Sequence, residues 1–389
     1  MGSVLHAVRD ARFLQVVLAL VCFLLPLGLI PFARSGEGQT LRWERVDGWP
    51  GDRVVQRVVV GHDGDGTHLY AVARAGGLYV SPGGGETWSR AAVRSQDPLS
   101  TMRIVDLAAN PSDPQELHLL LAFPSRNPRP VLYRTRDGGG TWSVRGDLGP
   151  RRIGAVAYSP DGKELYMTAG GNLLWEVGGE LREPSGWRRS GTTVPPRTLF
   201  DALSHVTTLL ITGGGPATSD TAWSQARSLI YIGTASRGLH IVANRGSGEL
   251  EVLRGEQDAV SVYVRERATI RSLANHPSRS GVLCVGTNRG LYASTDAGQS
   301  WFRLGQALRF EEVLSLLFDP QRGAIYVGLA AGGVWYTVDN GANWRLLGDG
   351  LGRSAVLSLA LDSGDSGTLY AGTDSGLWYL PLPSEGLED

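Results

Sequence analysis

The chain is almost without lysine. Its 389 residues include 37 lysines and arginines, of which only Lys163 is a lysine, against 38 acidic residues and a formal net charge of −1. Bulk binding to nucleic acid depends on an excess of basic side chains, and this balance does not favour it. The arginines matter individually, because each guanidinium group is a planar fork that fits a carboxylate or a phosphate.

Cysteine is scarce as well. The two cysteines are Cys22, inside an N-terminal apolar run, and Cys284, inside a predicted inner strand. These positions should not pair, so the sequence predicts no disulfide framework despite the predicted export of the chain. We expect Cys284 to behave as a buried small hydrophobe.

The chain also lacks the usual signatures of metal and catalytic sites. The seven histidines show no metal-ligand spacing, and no Gly-x-Ser-x-Gly elbow, phosphate-binding loop or Cys-x-x-Cys pair occurs. We therefore expect no catalytic constellation, no cofactor and no metal ion.

One long stretch has no charge. Residues 13–33 are 21 consecutive uncharged residues, which is long enough for one transmembrane helix or signal anchor. Arg9 and Arg12 precede the stretch, which predicts a cytoplasmic N-terminus at residues 1–12, a linker at 34–38 and an exported remainder. The alternative is a signal peptide that is cleaved after Ala33-Arg34-Ser35.

An octapeptide of the form Ser/Thr-x-Asp-x-Gly-x-Ser/Thr-Trp recurs along the exported part. Residues 294–301 and 135–142 match it in full, residues 337–344 carry one polar exchange, and residues 81–88 have lost the aspartate. A short aspartate side chain accepts hydrogen bonds from backbone amides of its own turn, and glycine takes the position with positive φ. Each copy therefore predicts a β-hairpin turn that is followed by a buried tryptophan.

A second marker, Gly-Leu-Tyr or a close variant, occurs seven times. The last three copies lie 43 residues apart, from Leu291 to Val334 to Leu377. This period fits a four-stranded blade, and the intervening strands are short and rich in β-branched and aromatic residues. The sequence predicts an all-β fold, a single seven-bladed β-propeller over residues 39–382, with a C-terminal tail at 383–389 and almost no helix beyond the N-terminal segment. The markers begin at residues 77, 131, 173, 238, 290, 333 and 376.

The seventh repeat is incomplete, because the chain runs only eleven residues past Trp378 and supplies no further tryptophan. The missing strand is at the other end of the chain, at residues 40–46. There Trp43-Glu-Arg45 shares a Trp-x-Arg signature with residues 88–90, 187–189 and 301–303. Pairing of residues 40–46 with 376–381 would close the ring and leave no open edge between blades.

Blades three and four are degenerate. Blade three retains Ser185-Gly-Trp187 in place of an octapeptide, and blade four ends near residues 248–252 without a tryptophan. Insertions at 212–226 and 256–267 interrupt blade four. Long insertions in a tight repeat are either functional loops or tolerated additions, and the sequence leaves both possibilities open.

The octapeptides resemble the Asp-box (BNR) repeat, whose known setting is the turn between the two outer strands of a propeller blade. In blade count, size and N-terminal targeting, residues 38–382 resemble the single-domain propellers of the photosystem II assembly and stability factor type. That resemblance implies an exported, non-enzymatic protein that binds other membrane proteins. Sialidases, xyloglucanase-type hydrolases and sortilin-type receptors share the box, so the alternative is a carbohydrate-active enzyme. A sialidase would bring three arginines onto one pocket, beside a tyrosine–glutamate pair and an aspartate.

The Asp-box residues are predicted to be structural. Their aspartates lie in turns of separate blades, which argues against paired acid–base catalysis, and their tryptophans should be apolar plates in the core. The residues in question are Asp137, Trp142, Asp296, Trp301, Asp339 and Trp344.

One face of the ring is predicted to be basic. In a propeller, the loops that lead into the inner strands and the loops between the second and third strands share one face, which we call the basic face. Clustered guanidinium groups there could bind carboxylates or phosphates bidentately, although Glu311 and Glu312 dilute the charge. The candidate binding residues are Arg103, Arg152, Arg271, Arg309 and Arg353 in the centre and Arg237 and Arg289 at the edge.

These observations together favour an exported, membrane-tethered binding scaffold. We expect it to engage another membrane-associated or exported protein, or an anionic ligand, in the assembly or stability of a membrane complex. We further expect a monomer at the cell membrane, held through residues 13–33, with the propeller outside the cytoplasm and no nucleic-acid partner. Secretion after signal cleavage is the alternative.

Overall fold

The computed structural model describes residues 41–50, 54–63, 66–91, 103–122, 130–148, 153–169, 172–189, 192–193, 205–214, 221–246, 249–254, 268–362, 364, 367–384 and 386–387. The predicted cytoplasmic N-terminus, membrane segment and linker lie outside these residues. Among the described residues, no helix has the length and apolar character that crossing a membrane requires.

Seven β-sheets form the blades of a propeller. The first strand of the described residues, β1 (Glu44–Arg45), belongs to the last blade. Blade one contains β2 (Val55–Asp63), β3 (Gly66–Ala73), β4 (Leu78–Ser81) and β5 (Ser89–Arg90). Blade two contains β6 (Arg103–Asn110), β7 (Asp113–Ala122), β8 (Pro130–Thr135) and β9 (Ser143–Asp147). Blade three contains β10 (Ile153–Tyr158), β11 (Glu164–Ala169), β12 (Asn172–Val177) and β13 (Glu180–Arg182).

The fourth blade is larger than the others. It contains β14 (Gly186–Arg189), β15 (Thr192–Thr193), β16 (Val206–Gly213), β17 (Ser228–Thr234), β18 (Leu239–Asn244) and β19 (Glu249–Arg254), with a short helix α1 (Thr221–Ser224). Blade five contains β20 (Ile270–Asn275), β21 (Leu283–Thr287), β22 (Gly290–Ser294) and β23 (Phe302–Leu304). Blade six contains β24 (Val313–Asp319), β25 (Ala324–Leu329), β26 (Val334–Thr337) and β27 (Arg345–Leu346). Blade seven contains β28 (Val356–Asp362), β29 (Thr368–Thr373) and β30 (Gly376–Pro381), and β1 completes it.

The second strand of a blade lies in the core between neighbouring blades. Every residue of β11, β17, β21, β25 and β29 is buried. Strands that are covered on both faces can be apolar at nearly every position, which explains their continuous runs of valine, leucine, isoleucine and tyrosine. Apolar clusters therefore span adjacent blades, as where Tyr326 of blade six packs with Leu369 of blade seven.

The first strand of every blade has a β-bulge near its start. A bulge inserts one extra residue and redirects its side chain. In blade one the bulge residue Gln56 donates from Nε2 to the carbonyl of Ile104 in blade two, at 3.0 Å. In blade four the bulge residue Thr207 donates to the carbonyl of Ile270 in blade five, at 2.5 Å. The bulges thus help to join consecutive blades.

The N-terminal strand closes the ring. Glu44 and Arg45 pair with Tyr379 and Trp378, so β1 is the outer strand of blade seven. Trp43, which is 2% exposed, donates from Nε1 to the carbonyl of Leu347 in blade six at 2.7 Å. The closing segment is therefore attached to two blades.

The predicted boundary between blades three and four is wrong at Trp187. Gly178 and Gly179, both with positive φ, reverse the chain directly after β12, so β13 takes the outer position of blade three first. The segment that contains Trp187 continues as β14 and pairs in parallel with β19 of blade four. The third marker is also displaced by one residue. Its first residue, Leu173, pairs with Thr168 in the same way that Leu291, the second residue of the fifth marker, pairs with Gly286.

The insertions in blade four are described only in part. The first contains α1, whose Trp223 is 3% exposed and belongs to an apolar cluster with residues of blades four and five. At least this portion is therefore part of the core. The second insertion, residues 256–267, lies outside the described residues.

Candidate binding site on the basic face

The three Asp-box turns form as the octapeptides predict. In blade five, Ser294 donates from Oγ to Oδ1 of Asp296 at 2.8 Å, and the amide and hydroxyl of Ser300 donate to the two carboxylate oxygens at 2.8 and 2.5 Å. Gly298, at a φ of 95°, donates its amide to the Ser294 hydroxyl. Turns with the same bonding surround Asp137 and Asp339.

Hydrogen bonding lowers the pKa of two of these carboxylates, those of Asp137 and Asp339. Burial raises the pKa of Asp137, but the bonds from Thr135 and Thr141 outweigh it and the net pKa is lowered. For Asp339 burial likewise raises the pKa, and bonds from Asn343 and Thr337 reverse the shift. The oxygens of these two carboxylates accept hydrogen bonds from donors of their own turns, which keeps them ionised and gives them a structural role.

The box tryptophans support the turns and fill the space between blades. Trp301 is 5% exposed and Trp344 8% exposed, whereas Trp142 is partly buried. The indole of Trp301 donates to the carbonyl of Gly298 at 3.0 Å. A tyrosine of the preceding blade completes the contact, since Tyr231 of blade four donates to the carbonyl of Ala297 at 3.0 Å.

Arg303 connects two loops of the basic face. Its Nη1 donates to the carbonyls of Arg289 and Arg309, at 3.0 and 2.8 Å. Its Nη2 donates to the Tyr292 hydroxyl at 2.7 Å, and its guanidinium carbon lies 4.9 Å from the centroid of the same ring. Arg303 therefore holds the β21–β22 loop against the loop that leads into β24.

The second of these loops presents a charged and apolar tip. Phe310 is 82% exposed, and the Arg309 guanidinium lies over its ring at 4.8 Å from the centroid. Nearby, Arg271 is the bulge residue of β20 and forms an ion pair with Glu312, with Nη2 2.6 Å from Oε1. These side chains form what we call the blade 5–6 cluster: Arg271, Arg289, Arg303, Arg309, Phe310 and Glu312.

The structure brings only part of the predicted arginine set together. Arg303 joins the main-chain carbonyls of Arg289 and Arg309, and Arg271 pairs with Glu312 of the loop that contains Arg309. Arg103 is an exposed residue at the start of β6, Arg353 is exposed before β28, and Arg237 lies in the β17–β18 loop with its amide bonded to Thr234. Arg152 lies outside the described residues.

Arg303 and Phe310 were absent from the predicted site. The Trp-x-Arg signature was the available signal for Arg303. In blades one, five and seven, the arginine of that signature pairs across the sheet with the aromatic residue of the Gly-Leu-Tyr marker. The two motifs therefore meet in space and hold the loop between the second and third strands. No sequence pattern pointed to Phe310.

A network of ionisable side chains fills the junction of blades two and three, where blade three has no Asp-box. His118, at a position where five other blades carry tyrosine, lies 2.6 Å from the Tyr158 hydroxyl through Nδ1. Arg145 donates to Glu176 at 2.9 Å, and Arg134 pairs with Glu116. Burial raises the pKa of Glu176, but bonds and charge from His118 and Arg145 outweigh it and lower the pKa to about 2.

The described residues hold no group of three histidine, cysteine or acidic side chains that could bind a metal ion. Arginine, tyrosine and glutamate do occur together in the blade 5–6 cluster. However, Tyr292 is bonded to Arg303 and Glu312 is bonded to Arg271, so each belongs to a separate arginine pair. This differs from a tyrosine–glutamate pair beside three converging arginines.

Among sequences, no family model matches the chain. A xyloglucanase from Hypocrea jecorina (strain QM6a) is 28% identical over 174 residues. This match covers 44% of the chain and 16% of the xyloglucanase, so the chain spans a small part of that relative.

Several solved structures share the propeller fold. YCF48 bound to a D1 peptide aligns with a TM-score of 0.57 at 14% identity, over 90% of this chain and 99% of that one. A GH74 enzyme from Niastella koreensis aligns with a TM-score of 0.60 at 15% identity, over 88% of this chain and 53% of that one. The extracellular domain of the putative one-component system BT4673 from B. thetaiotaomicron aligns with a TM-score of 0.58 at 15% identity, over 87% of this chain and 39% of that one. At these identities the likeness concerns the fold.

Proposed function

We propose that this propeller is a non-enzymatic binding scaffold that engages another protein, or an anionic ligand, through its basic face. The observation that carries the proposal is the blade 5–6 cluster. Arg303 holds two loops together there and an exposed Phe310 lies under the Arg309 guanidinium. An exposed aromatic ring beside arginine forks is a common centre of protein recognition, and the forks suit carboxylates of a partner.

We further propose that the scaffold is exported and tethered at the cell membrane through residues 13–33, as a monomer, and acts in assembly or stability of a membrane complex. The uncharged length of that segment motivates the tether. The similarity to YCF48 over nearly the whole of both chains, with a peptide bound to that protein, motivates the assembly role.

Charge reversal tests the basic face. The Arg271→Glu and Arg309→Glu double variant should lose its partner in a detergent pull-down of the tagged protein, because both side chains are outside the core. A matched double variant, Arg136→Glu and Arg182→Glu, changes exposed arginines of a box turn and an outer strand and should bind as wild type. If the first variant binds the partner as strongly as wild type at low salt, the arginines of the basic face do not contribute to partner binding.

A carbohydrate-active enzyme is the second candidate, and the sequence match to a xyloglucanase is the observation that favours it. Incubation of the purified chain with xyloglucan, followed by measurement of new reducing ends, separates the two candidates. The scaffold proposal predicts no hydrolysis above that of a heat-treated sample, and sustained turnover would overturn it.

A further inference from the structure

The turn between the first two strands of blade five is capped by a histidine. Nδ1 of His276 accepts from the backbone amides of Ser278 and Arg279, at 3.1 and 3.2 Å. Two backbone bonds complete the turn: the His276 amide donates to the Val282 carbonyl at 2.8 Å, and the Val282 amide donates to the Arg279 carbonyl at 3.2 Å. We call residues 276–282 the His276 turn.

Other blades place an oxygen atom at the same position. Counted along the paired strands, Asp319 of blade six and Asn110 of blade two correspond to His276. Oδ1 of Asp319 accepts from two amides of its own turn at 2.9 and 3.1 Å, and Oδ1 of Asn110 accepts from one amide at 2.9 Å. The amide oxygen of an asparagine accepts at any pH, whereas an imidazole nitrogen accepts only while it carries no proton.

The surroundings of His276 favour the neutral imidazole. Burial lowers the pKa of His276 from its ordinary value of 6.5, and the positive charge of Arg279 in the same turn lowers it further. Blade six contributes the uncharged ring of Phe318, whose centroid lies 5.4 Å from that of the imidazole. Because the pKa is lower in the folded chain, the turn is fully stabilised above pH 6.5 and loses this contribution as the pH falls below 6.5.

The His276 turn also holds the Asp-box of the same blade. The Ala297 amide donates to the Gly281 carbonyl at 2.8 Å, and the Ala297 carbonyl accepts from Tyr231 of blade four. Gly281 has a φ of 80°, and a Cβ placed on it would lie 3.2 Å from the Ala297 nitrogen, so the two turns are in close contact. One residue of the box is therefore held by the His276 turn on one side and by the preceding blade on the other.

Both turns lie at the same end of blade five. The strands β20, β21 and β22 are antiparallel in sequence, so this end is opposite to the β21–β22 loop of the basic face. A conformational change here is therefore separate from the basic face and does not rest on its role.

We propose that His276 is a pH-sensitive switch, in which protonation of Nδ1 opens the His276 turn and releases the Ala297 amide of the Asp-box. The proton comes from solvent, because His276 is only partly buried. A protonated Nδ1 is a donor that faces two other donors, the amides of Ser278 and Arg279, so both hydrogen bonds of the cap are lost together.

Amide hydrogen exchange of the full chain, followed by mass spectrometry and corrected for the intrinsic effect of pH, tests the switch. Between about pH 8 and about pH 5, the protection of residues 278–282 and of Ala297 should fall by about three- to tenfold, the factor that one amide hydrogen bond contributes. The turn that Asp319 caps in blade six is the internal control and should keep its protection.

Two substitutions assign the effect to the imidazole. His276→Asn copies the cap of blade two and His276→Asp copies that of blade six, and both should keep the turn protected at the lower pH. His205→Asn changes an exposed histidine elsewhere and should respond as wild type does. Thermal melting by circular dichroism verifies that each variant is folded.

The titration of the imidazole provides an independent measurement. In spectra of the chain with ¹³C-labelled histidine, the resonance that is missing from His276→Asn belongs to His276, and it should titrate below pH 6.5. A midpoint at or above 6.5 would overturn the inference. The exchange data overturn it if wild type keeps its protection at the lower pH, if both His276 variants respond as wild type does, if the blade six turn responds equally, or if Ala297 stays protected while the His276 turn opens.

Discussion

A box aspartate is surrounded by donors of its own turn. Asp296 accepts from Ser294 and twice from Ser300, all within seven residues of sequence. Both oxygens of this carboxylate accept hydrogen bonds from the turn itself, so its role is to fix the turn. The conformation of the turn then determines where the following tryptophan enters the core.

Removal of that tryptophan should be costly. Trp301 packs with Tyr231 and Ile241 of the preceding blade, so Trp301→Ala should lower the free energy of unfolding by about 3–5 kcal/mol. The partly buried Trp142 is the comparison, and Trp142→Ala should cost clearly less. Equilibrium denaturation with guanidinium chloride measures both values. Equal losses for the two variants would show that burial between blades does not set the contribution of a box tryptophan.

At the scale of strands and their junctions, the contact between blades two and three differs in kind from those made by Asp-boxes. Its side chains are ionisable, and the carboxylate of Glu176 is 8% exposed between Arg145 and His118. An ionised group that is bound in this way stabilises the folded chain only while it keeps its charge.

The pH dependence of this junction follows from the pKa of Glu176. Its folded-state pKa of about 2 lies below the ordinary value of 4.5. The carboxylate therefore stabilises the fold above pH 4.5, and this contribution is lost as the pH falls toward 2. A difference of this size corresponds to roughly 3 kcal/mol.

The test compares wild type with Glu176→Gln across this range. The difference in their free energies of unfolding should be present above pH 4.5 and should shrink as the pH falls below 4.5. Glu180→Gln changes a neighbouring glutamate that is 76% exposed and should have little effect at any pH. A Glu176→Gln difference that stays constant with pH would rule out the ionised carboxylate as the cause.

The elements that could be predicted from sequence are those whose interactions are local. The carboxylate of Asp339 accepts from Thr337 and Asn343 of its own turn, so the octapeptide contains the donors that hold this aspartate. The seven markers identify the seven third strands for the same reason, and the seven-bladed, all-β fold is confirmed. The membrane segment at residues 13–33 stays a prediction.

What the sequence did not reveal depends on contacts between blades. The displacement of Trp187 into blade four requires the edge of β19, which is some sixty residues further along the chain and has no local signal. His118 acquires its partners only when blade three packs beside blade two. The role of Arg303 likewise needs two loops that come together in the folded ring. Charge counting could place arginines on one face but could not identify which of them meet.

At the scale of the whole molecule, the ring depends on a strand from the far end of the chain. Deletion of residues 41–46 removes β1 and the buried Trp43, and should lower the free energy of unfolding by more than about 3 kcal/mol. A circular permutant that begins at Val55 and carries residues 41–46 after Leu382, joined by a copy of the 295–300 turn, should recover stability to within about 1 kcal/mol of wild type.

Denaturation curves of the deletion, the permutant and wild type provide the measurement. The permutant with Trp43→Ala is the control. It should lose most of the free energy of unfolding that the permutation restores, because the indole donates a hydrogen bond to Leu347 of blade six. If the deletion is as stable as wild type, closure by β1 does not stabilise the ring.

The packing of boxes against blades has a direction, and this has a consequence for synthesis on the ribosome. The turn in blade five is contacted by Tyr231 of blade four, which has already been translated when that turn emerges. Blade one is the exception, because the carbonyl of its Gly84 accepts from Tyr370 of blade seven. Nascent blades can therefore add in order from the N-terminus, while β1 remains without its partner β30 until residues 376–381 have been made. Of the described strands, β1 leaves the exit tunnel first and is among the last to be paired. A nascent chain that stalls short of β30 therefore keeps an exposed edge that favours aggregation.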